Sequence, residues 1–243
     1  MISNSEIKKI RSLSDKKFRD KLGLFAVEGR KMVAEAEASS FTVEKIYTAE
    51  SVGEEAMARI SQFTTPSPSL AIVRKPRDIV AEDARPGNGL YLALDSIRDP
   101  GNLGTIIRIA DWFGLAGIYA SHDTVDIFNP KTVQATMGAI FRVKFQYTDI
   151  PALCRNVRTL GGEVYGTFLD GSDIYRSTLR TGESEPCLIV IGNEANGISV
   201  AVESETTGRL LIPSFPPGSR RSESLNAAIA TAVTVAEFRR RTR

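Results

Sequence analysis

Apolar positions fall into two rhythms along this chain, short continuous runs and stripes spaced three and four residues apart. Residues 5–22 read as short basic helices, followed by an apolar strand over 24–27 and a helix that starts near Gly29. A second strand over 43–47, a helical stretch over 54–62 and a strand over 70–73 complete a compact α/β unit. Periodicity then gives way to Lys75-Pro76-Arg77 and Ala84-Arg85-Pro86-Gly87-Asn88-Gly89, where charge, proline and glycine break any element. The expected domains are therefore 1–84 and 85–243.

Beyond that boundary, apolar runs at 90–94, 117–120, 143–146, 163–168, 188–191 and 210–212 read as strands. Helices are expected at 103–113, 130–138 and 151–159, with a long final one over 225–240. Strands that are apolar throughout, rather than alternately, imply a mostly parallel sheet covered on both faces by helices, an α/β fold. In such sheets ligands bind outside the carboxyl ends of the strands, so the loops there are where chemistry is expected.

Composition narrows the class. With 243 residues, 42% of them hydrophobic and 25% charged, the chain is expected to be a soluble globular protein of two domains. No apolar run reaches the length of a membrane helix and residues 1–13 lack a signal-peptide core, so a cytoplasmic location is expected. Cys154 and Cys187 make no CxxC pair, and the single histidine, His122, excludes any site built from two imidazoles. Metal chemistry is not expected. A hydrolase triad also lacks its G-x-S-x-G elbow.

The net charge of +2 hides an uneven distribution. Residues 1–31 carry nine Lys and Arg against four acids, and residues 209–243 carry seven against two, so each end holds +5 and the middle is acidic. Basic ends suit a polyanion-binding surface, because cations that neutralise phosphates gain affinity by releasing counterions. Solvated basic helices and tails are equally compatible with the charge alone.

Three loops carry unusual chemistry. After the strand at 90–94 comes Asp95-Ser96-Ile97-Arg98-Asp99-Pro100-Gly101-Asn102-Leu103-Gly104, in which Asp-Pro-Gly predicts a turn and Asn102 the N-cap of a helix closed by Gly114. Leu103, Ile106, Ile107, Ala110 and Phe113 form the buried stripe of that helix, which leaves Arg108 facing away from the core. After the strand at 188–191, Gly192 and Gly197 have P-loop spacing, but the Lys-Ser/Thr that would hold phosphate and magnesium is missing. Glu194, in the same loop, is also explicable as an acid near a helix N-terminus. The third loop runs from Ser214 to Glu223 with Arg220 and Arg221 as possible phosphate contacts, and Ser224 is a candidate cap of the last helix. Asn226, placed in the first turn of an otherwise apolar helix, is a liability there unless it has a partner. No GxGxxG follows a first strand, so neither a dinucleotide site nor a Rossmann-type methyltransferase is supported.

Taken together, DPGNLGTIIRIADWFG, IVIGNEANGIS and LLIPSFPPGSRRSESLNAAIATAV resemble motifs 1, 2 and 3 of the SpoU (TrmH-like) 2′-O-ribose RNA methyltransferases of the SPOUT superfamily. QATMGAIFRV at 134–143 is similar to that family's segment between motifs, and FAVEGR at 25–30 to its small substrate-binding domain. The resemblance implies a SPOUT-like fold with a C-terminal trefoil knot, S-adenosylmethionine as cofactor and a homodimer without metal or membrane. It implies a catalytic set of Asn102, Arg108, Glu194, Ser224 and Asn226, and a cofactor site at Thr167, Gly192, Gly197, Ile212 and Leu225. Ser214 departs from the methionine frequent in the family, and the stretch before Ser224 is longer and richer in Pro and Arg, which bears on substrate choice. RNA is the expected partner, ribosomal in preference to transfer RNA, docked by Arg11, Lys16, Lys17 and Arg30. The competing readings are a non-catalytic RNA-binding or ribosome-assembly factor on the same fold, a tRNA ribose methyltransferase, and a base-nitrogen methyltransferase of the same superfamily.

Overall fold

The computed structural model describes residues 2–216 and 224–242. Arg220 and Arg221, the arginines expected in the third loop, lie outside the described residues, as does Arg243. The chain forms two compact units, one of residues 1–77 with 126–142 and the other of residues 78–125 with 143–243.

In the first unit, helices α1 (Asn4–Ser12) and α2 (Lys16–Leu22) lead into strand β1 (Leu24–Glu28) and helix α3 (Arg30–Glu37). Strand β2 (Val43–Thr48), the short helices α4 (Ala49–Val52) and α5 (Glu54–Ile60), and strand β3 (Ser69–Arg74) follow. The three strands form an antiparallel sheet in the order β1-β3-β2. Because side chains alternate across a strand, Leu24 and Ala26 pack with Ile7, Ile10, Met57 and Ile60 on one face. Phe25 points to the other face, where Phe128 lies 4.7 Å from its ring. Phe41 meets Phe25 and Phe141 edge-on at 6.3 and 5.2 Å.

Phe128 and Phe141 belong to segment 126–142, which includes helix α7 (Pro130–Thr136). The sequence places this segment with the second domain, whereas it packs in the first unit because the Phe25 face of the sheet needs an apolar cover. A buried ion pair reinforces the packing: Arg19 donates to Asp126 at 2.7 Å and to the carbonyls of Leu13 and Ser14. One of the nine N-terminal cations is therefore committed to structure.

The second unit is a six-stranded, all-parallel sheet. It is built from β4 (Gly89–Leu94), helix α6 (Pro100–Trp112), β5 (Gly117–Ala120), β6 (Phe145–Tyr147), helix α8 (Ile150–Thr159), β7 (Glu163–Asp173), β8 (Pro186–Ile191), helix α9 (Val200–Glu203), β9 (Gly208–Leu211) and helix α10 (Ala227–Arg241). Strand order is β6-β5-β4-β8-β7-β9. Residues 90–94 of β4 and all of β8 are buried, as expected for strands covered on both faces. Tyr91, Ala93, Leu188 and Val190 pack with Leu153 and Val157 of α8.

The C-terminal arginines, counted as part of a basic end, are largely engaged. Arg239 donates to the carbonyls of Phe113 and Gly114 at 2.8 and 2.6 Å, closing the C-terminus of α6. Arg240 and Arg241 both bind the buried Glu237 carboxylate, which their hydrogen bonds hold down at about 2 against the opposing effect of burial. Arg241 also donates to the carbonyls of Ile174, Tyr175 and Ser177. Among the described residues, no helix is long and apolar enough to cross a membrane.

Candidate active site

Strand order dictates where the site forms. From β4 the chain moves outward through β5 and β6, then returns to lay β8 against the other edge of β4. Loops leaving the carboxyl ends of β4 and β8 therefore diverge at a topological switch point, the usual place for a ligand in an open parallel sheet. A cleft of about 770 Å³ opens there, lined by Asp95, Ser96, Arg98, Asp99, Asn193 and Glu194 among others.

Helix α6 starts three residues earlier than the sequence pattern suggests. Asp99, not Asn102, is the N-cap, its side chain accepting from the Asn102 N–H at 2.7 Å, and Pro100 occupies the first helical position. Both choices are physically sound, since proline lacks the N–H that a first turn leaves unpaired. The consequence is that the Asn102 side chain is free of capping. At the other end of the site, α10 is capped by Asn226 and not by Ser224, the Asn226 Oδ1 accepting from Ala228 and Ile229 at 3.0 and 3.3 Å.

These two shifts bring three motif residues together. Asn102 Nδ2 donates to Glu194 Oε1 at 2.9 Å, and Asn226 Nδ2 donates to Asn102 Oδ1 at 2.8 Å. The direction of the chain is forced from both ends: an ionised carboxylate only accepts, and the two helix N–H groups only donate. Each amide is thus locked in one orientation. Glu194 also accepts from the backbone N–H groups of Arg98 and Asp99 at 3.3 Å each. Burial would raise its carboxyl, but the Asn102 side chain and these backbone donors outweigh that and hold it below the ordinary carboxylate range. It does sit beside a helix N-terminus, but that of α6, which lies far from it in sequence.

Arg108 is exposed, about two turns along α6, and makes no hydrogen bond or ion pair among the described residues. Ser224 is likewise exposed and unbonded. Neither is drawn into the Glu194–Asn102–Asn226 network. Of the five positions carried by the resemblance as a cofactor site, Thr167 lies within β7 and Gly197 closes the loop after β8, exchanging two backbone hydrogen bonds with Asn193. Thr167 donates to the Val190 carbonyl at 3.2 Å, Gly192 and Ile212 follow the last residues of β8 and β9, and Leu225 precedes the α10 cap. Gly192 admits no side chain, since a Cβ there would stand 2.3 Å from the Gly197 backbone.

The sequence profile of the SpoU rRNA Methylase family matches residues 89–236, and that of the MRM3-like substrate binding domain matches residues 4–72. The chain belongs to the SpoU rRNA methylase family. It is 29% identical to the 23S rRNA (guanosine(2553)-2′-O)-methyltransferase RlmP of Bacillus subtilis (strain 168), over 97% of this chain and 96% of that one. Its fold is similar to that of a TrmH-family protein from Porphyromonas gingivalis, with a TM-score of 0.86, 39% identity and 99% of each chain covered. It is equally similar to an AdoMet-bound rRNA methyltransferase from Sinorhizobium meliloti, with a TM-score of 0.86, 32% identity, all of this chain covered and 97% of that one.

The residues at the ends of β7, β8 and β9 suit the cofactor of SpoU methylases. Thr167 pairs with Leu210 of β9 and Gly166 with Val190 of β8, so Gly192 and Ile212, each two residues further on, flank the stretch of β7 that follows Thr167. No described backbone partner takes the N–H or carbonyl of Gly192, Ile212 or Leu225. Unspent amide groups beside apolar surface are what an adenosine with its mixed donors and acceptors requires. Among the described residues, no three His, Cys, Asp or Glu side chains converge as a metal set.

Two supporting residues escaped the sequence reading. Asn193 donates to the Ser96 carbonyl at 2.7 Å and accepts from the N–H groups of Ala195 and Asn196, folding the Glu194 loop. Asp95, buried at the end of β4, accepts from the Ser199 N–H at 2.7 Å. A carboxylate that directly ends an apolar run was the available signal.

Proposed function

We propose that this chain transfers the methyl group of S-adenosylmethionine to a ribose 2′-hydroxyl of RNA, with ribosomal RNA as substrate. The observation that carries the reading is the directionally locked Glu194–Asn102–Asn226 chain at the sheet's switch point. The rRNA methyltransferase names of similar proteins support it.

In this reading Thr167, Gly192, Gly197, Ile212 and Leu225 hold the cofactor, largely through backbone groups. When bound, S-adenosylmethionine supplies an electrophilic sulfonium methyl. A ribose hydroxyl is a weak nucleophile, so transfer demands in-line alignment and removal of its proton. Glu194 is a poor base, because its hydrogen bonds favour the ionised form and lower its basicity; it positions Asn102. The planar guanidinium of Arg108 suits it to stabilise the developing alkoxide or an adjacent phosphate rather than to act as the base. Ser224, exposed two residues before the α10 cap, is the remaining member of the proposed set.

The N-terminal domain, expected over 1–84 and joined in the fold by segment 126–142, serves to dock RNA, and the rest of 85–243 serves as the transfer domain. Arg11 and Lys17 are exposed without a partner among the described residues, whereas Lys16 pairs with Asp20 and Arg30 with Glu50. All four cations lie on the surface, where the two ion pairs yield readily to phosphate. We also infer a trefoil-knotted, cytoplasmic homodimer. Trp112 at the end of α6 is 85% exposed, and Leu225 and Ile229 at the start of α10 are half exposed, separate apolar positions that a second copy would cover. Mapping ribose methylation in cells with and without this protein tests the substrate: loss of one 2′-O-methyl site in ribosomal RNA is expected, and loss confined to transfer RNA overturns the assignment.

A further inference from the structure

Between Thr167 and Ser172 the pairing of β7 with β9 is interrupted: both residues face Leu210, so 168–171 loop out of the sheet opposite a single partner. An excursion of four residues at the end of a strand is inherently loose, yet this one immediately follows Thr167. Arg209 ties it to its neighbours. The Arg209 guanidinium lies over the Phe168 ring, 3.7 Å from its centroid, and binds Asp170 at 2.5 Å. The same guanidinium binds Glu203 of α9, the helix that follows the Glu194 loop.

Phe168 in turn is pressed against the second loop. Its ring packs on the core cluster that contains Ile198. A Cβ at Gly166 would stand 2.3 Å from that ring and 3.1 Å from Ile198 Cδ1, so the glycine makes room for both. Arg209 itself sits on β9, three residues before Ile212. One planar cation therefore touches the excursion after Thr167, the helix after Gly197 and the strand leading to Ile212. Those are the three chain segments that meet at the proposed cofactor site.

We propose that Arg209 is a positioning residue that sets affinity for S-adenosylmethionine by holding these three loops in register, an inference that rests on the cofactor reading above. Arginine fits the task because its plane stacks on an aromatic face while its fork reaches two carboxylates; lysine offers a point charge and no plane. Arg209 does not touch the reacting atoms in this account, so its effect belongs to cofactor binding.

The test is calorimetric titration of the purified full chain with S-adenosylmethionine, alongside the variants Arg209→Ala and Arg209→Lys. Arg209→Ala is expected to weaken binding about tenfold, with KM for the cofactor rising in step and kcat little changed, and Arg209→Lys to recover only part of the loss. Amide exchange at 168–171 should quicken in parallel. A purely structural role predicts a lower melting temperature with affinity within about twofold of the unaltered chain, and that result overturns the proposal. If Arg209→Ala does not fold, Phe168→Leu, which removes the stack and keeps both ion pairs, is read by the same criteria. Absence of binding to the unaltered chain is a separate outcome, and it overturns the cofactor reading itself.

Discussion

At the scale of single residues, the site depends on which group is donor and which acceptor. Glu194 fixes Asn102, and Asn102 together with the α10 N–H groups fixes Asn226. Glu194→Gln replaces an obligate acceptor with a side chain that can present either face, so Asn102 can turn over and its bond to Asn226 is lost. A misplacement of this kind is expected to lower kcat about 10- to 100-fold while leaving the fold intact. Because the Glu194 carboxyl lies below the ordinary range, it is already ionised throughout neutral pH. The rate of the unaltered chain should therefore carry no inflection from Glu194 between about pH 6 and 9. An inflection there that disappears in Glu194→Gln would make Glu194 the base and contradict its positioning role.

At the scale of elements, the final helix is held at both ends, by Asn226 at the site and by Glu237 with its arginines at the far end. The Glu237 carboxyl is depressed to about 2 in the fold. A depressed group contributes stability that is complete above its unfolded pKa, about 4.3, and is lost as pH falls through the folded value. Urea unfolding should thus show a loss between about pH 4.5 and 2 that is smaller in Glu237→Gln. At neutral pH that variant should be less stable by about 1–2 kcal/mol, a figure kept low because Arg240 is largely exposed. Equal stability of the two proteins across that range would refute the staple.

Elements were legible where one physical signal dominated. Strands β4 and β8 read clearly as apolar runs because both their faces are buried, and α8 and α10 by their stripes. The start of α6 was misplaced because Asp-Pro-Gly serves as cap and first turn here instead of as a loop. Helices α4 and α9, of four residues each, are too short to show a helical period. Segment 126–142 joined the first unit through Phe128 and Phe141, a tertiary demand that no local pattern announces. At the site, Asn102, Glu194 and Asn226 stood out as polar residues in apolar company, whereas their mutual bonds depended on caps that the pattern placed elsewhere.

At the scale of the whole molecule, the charge distribution resolves into working parts. Arg19, Arg239 and Arg241 hold structure together, while Arg11 and Lys17 are exposed and carry the RNA docking proposed above. Replacing Arg11 and Lys17 with glutamate should weaken RNA binding and reduce the slope of log affinity against log salt by about 1–2. Affinity for S-adenosylmethionine should not change, and an unaltered RNA affinity would remove these residues from the docking surface.

The central claim is that the switch-point loops join a methyl donor to a ribose oxygen. It is tested most directly by incubating the purified chain with methyl-labelled S-adenosylmethionine and ribosomal RNA, then hydrolysing the product in alkali. A 2′-O-methyl group protects the adjoining phosphodiester, so the label is expected in an alkali-resistant dinucleotide, and to appear there about 10- to 100-fold more slowly with Glu194→Gln. Label recovered in single nucleotides, carried on a base, would contradict the account.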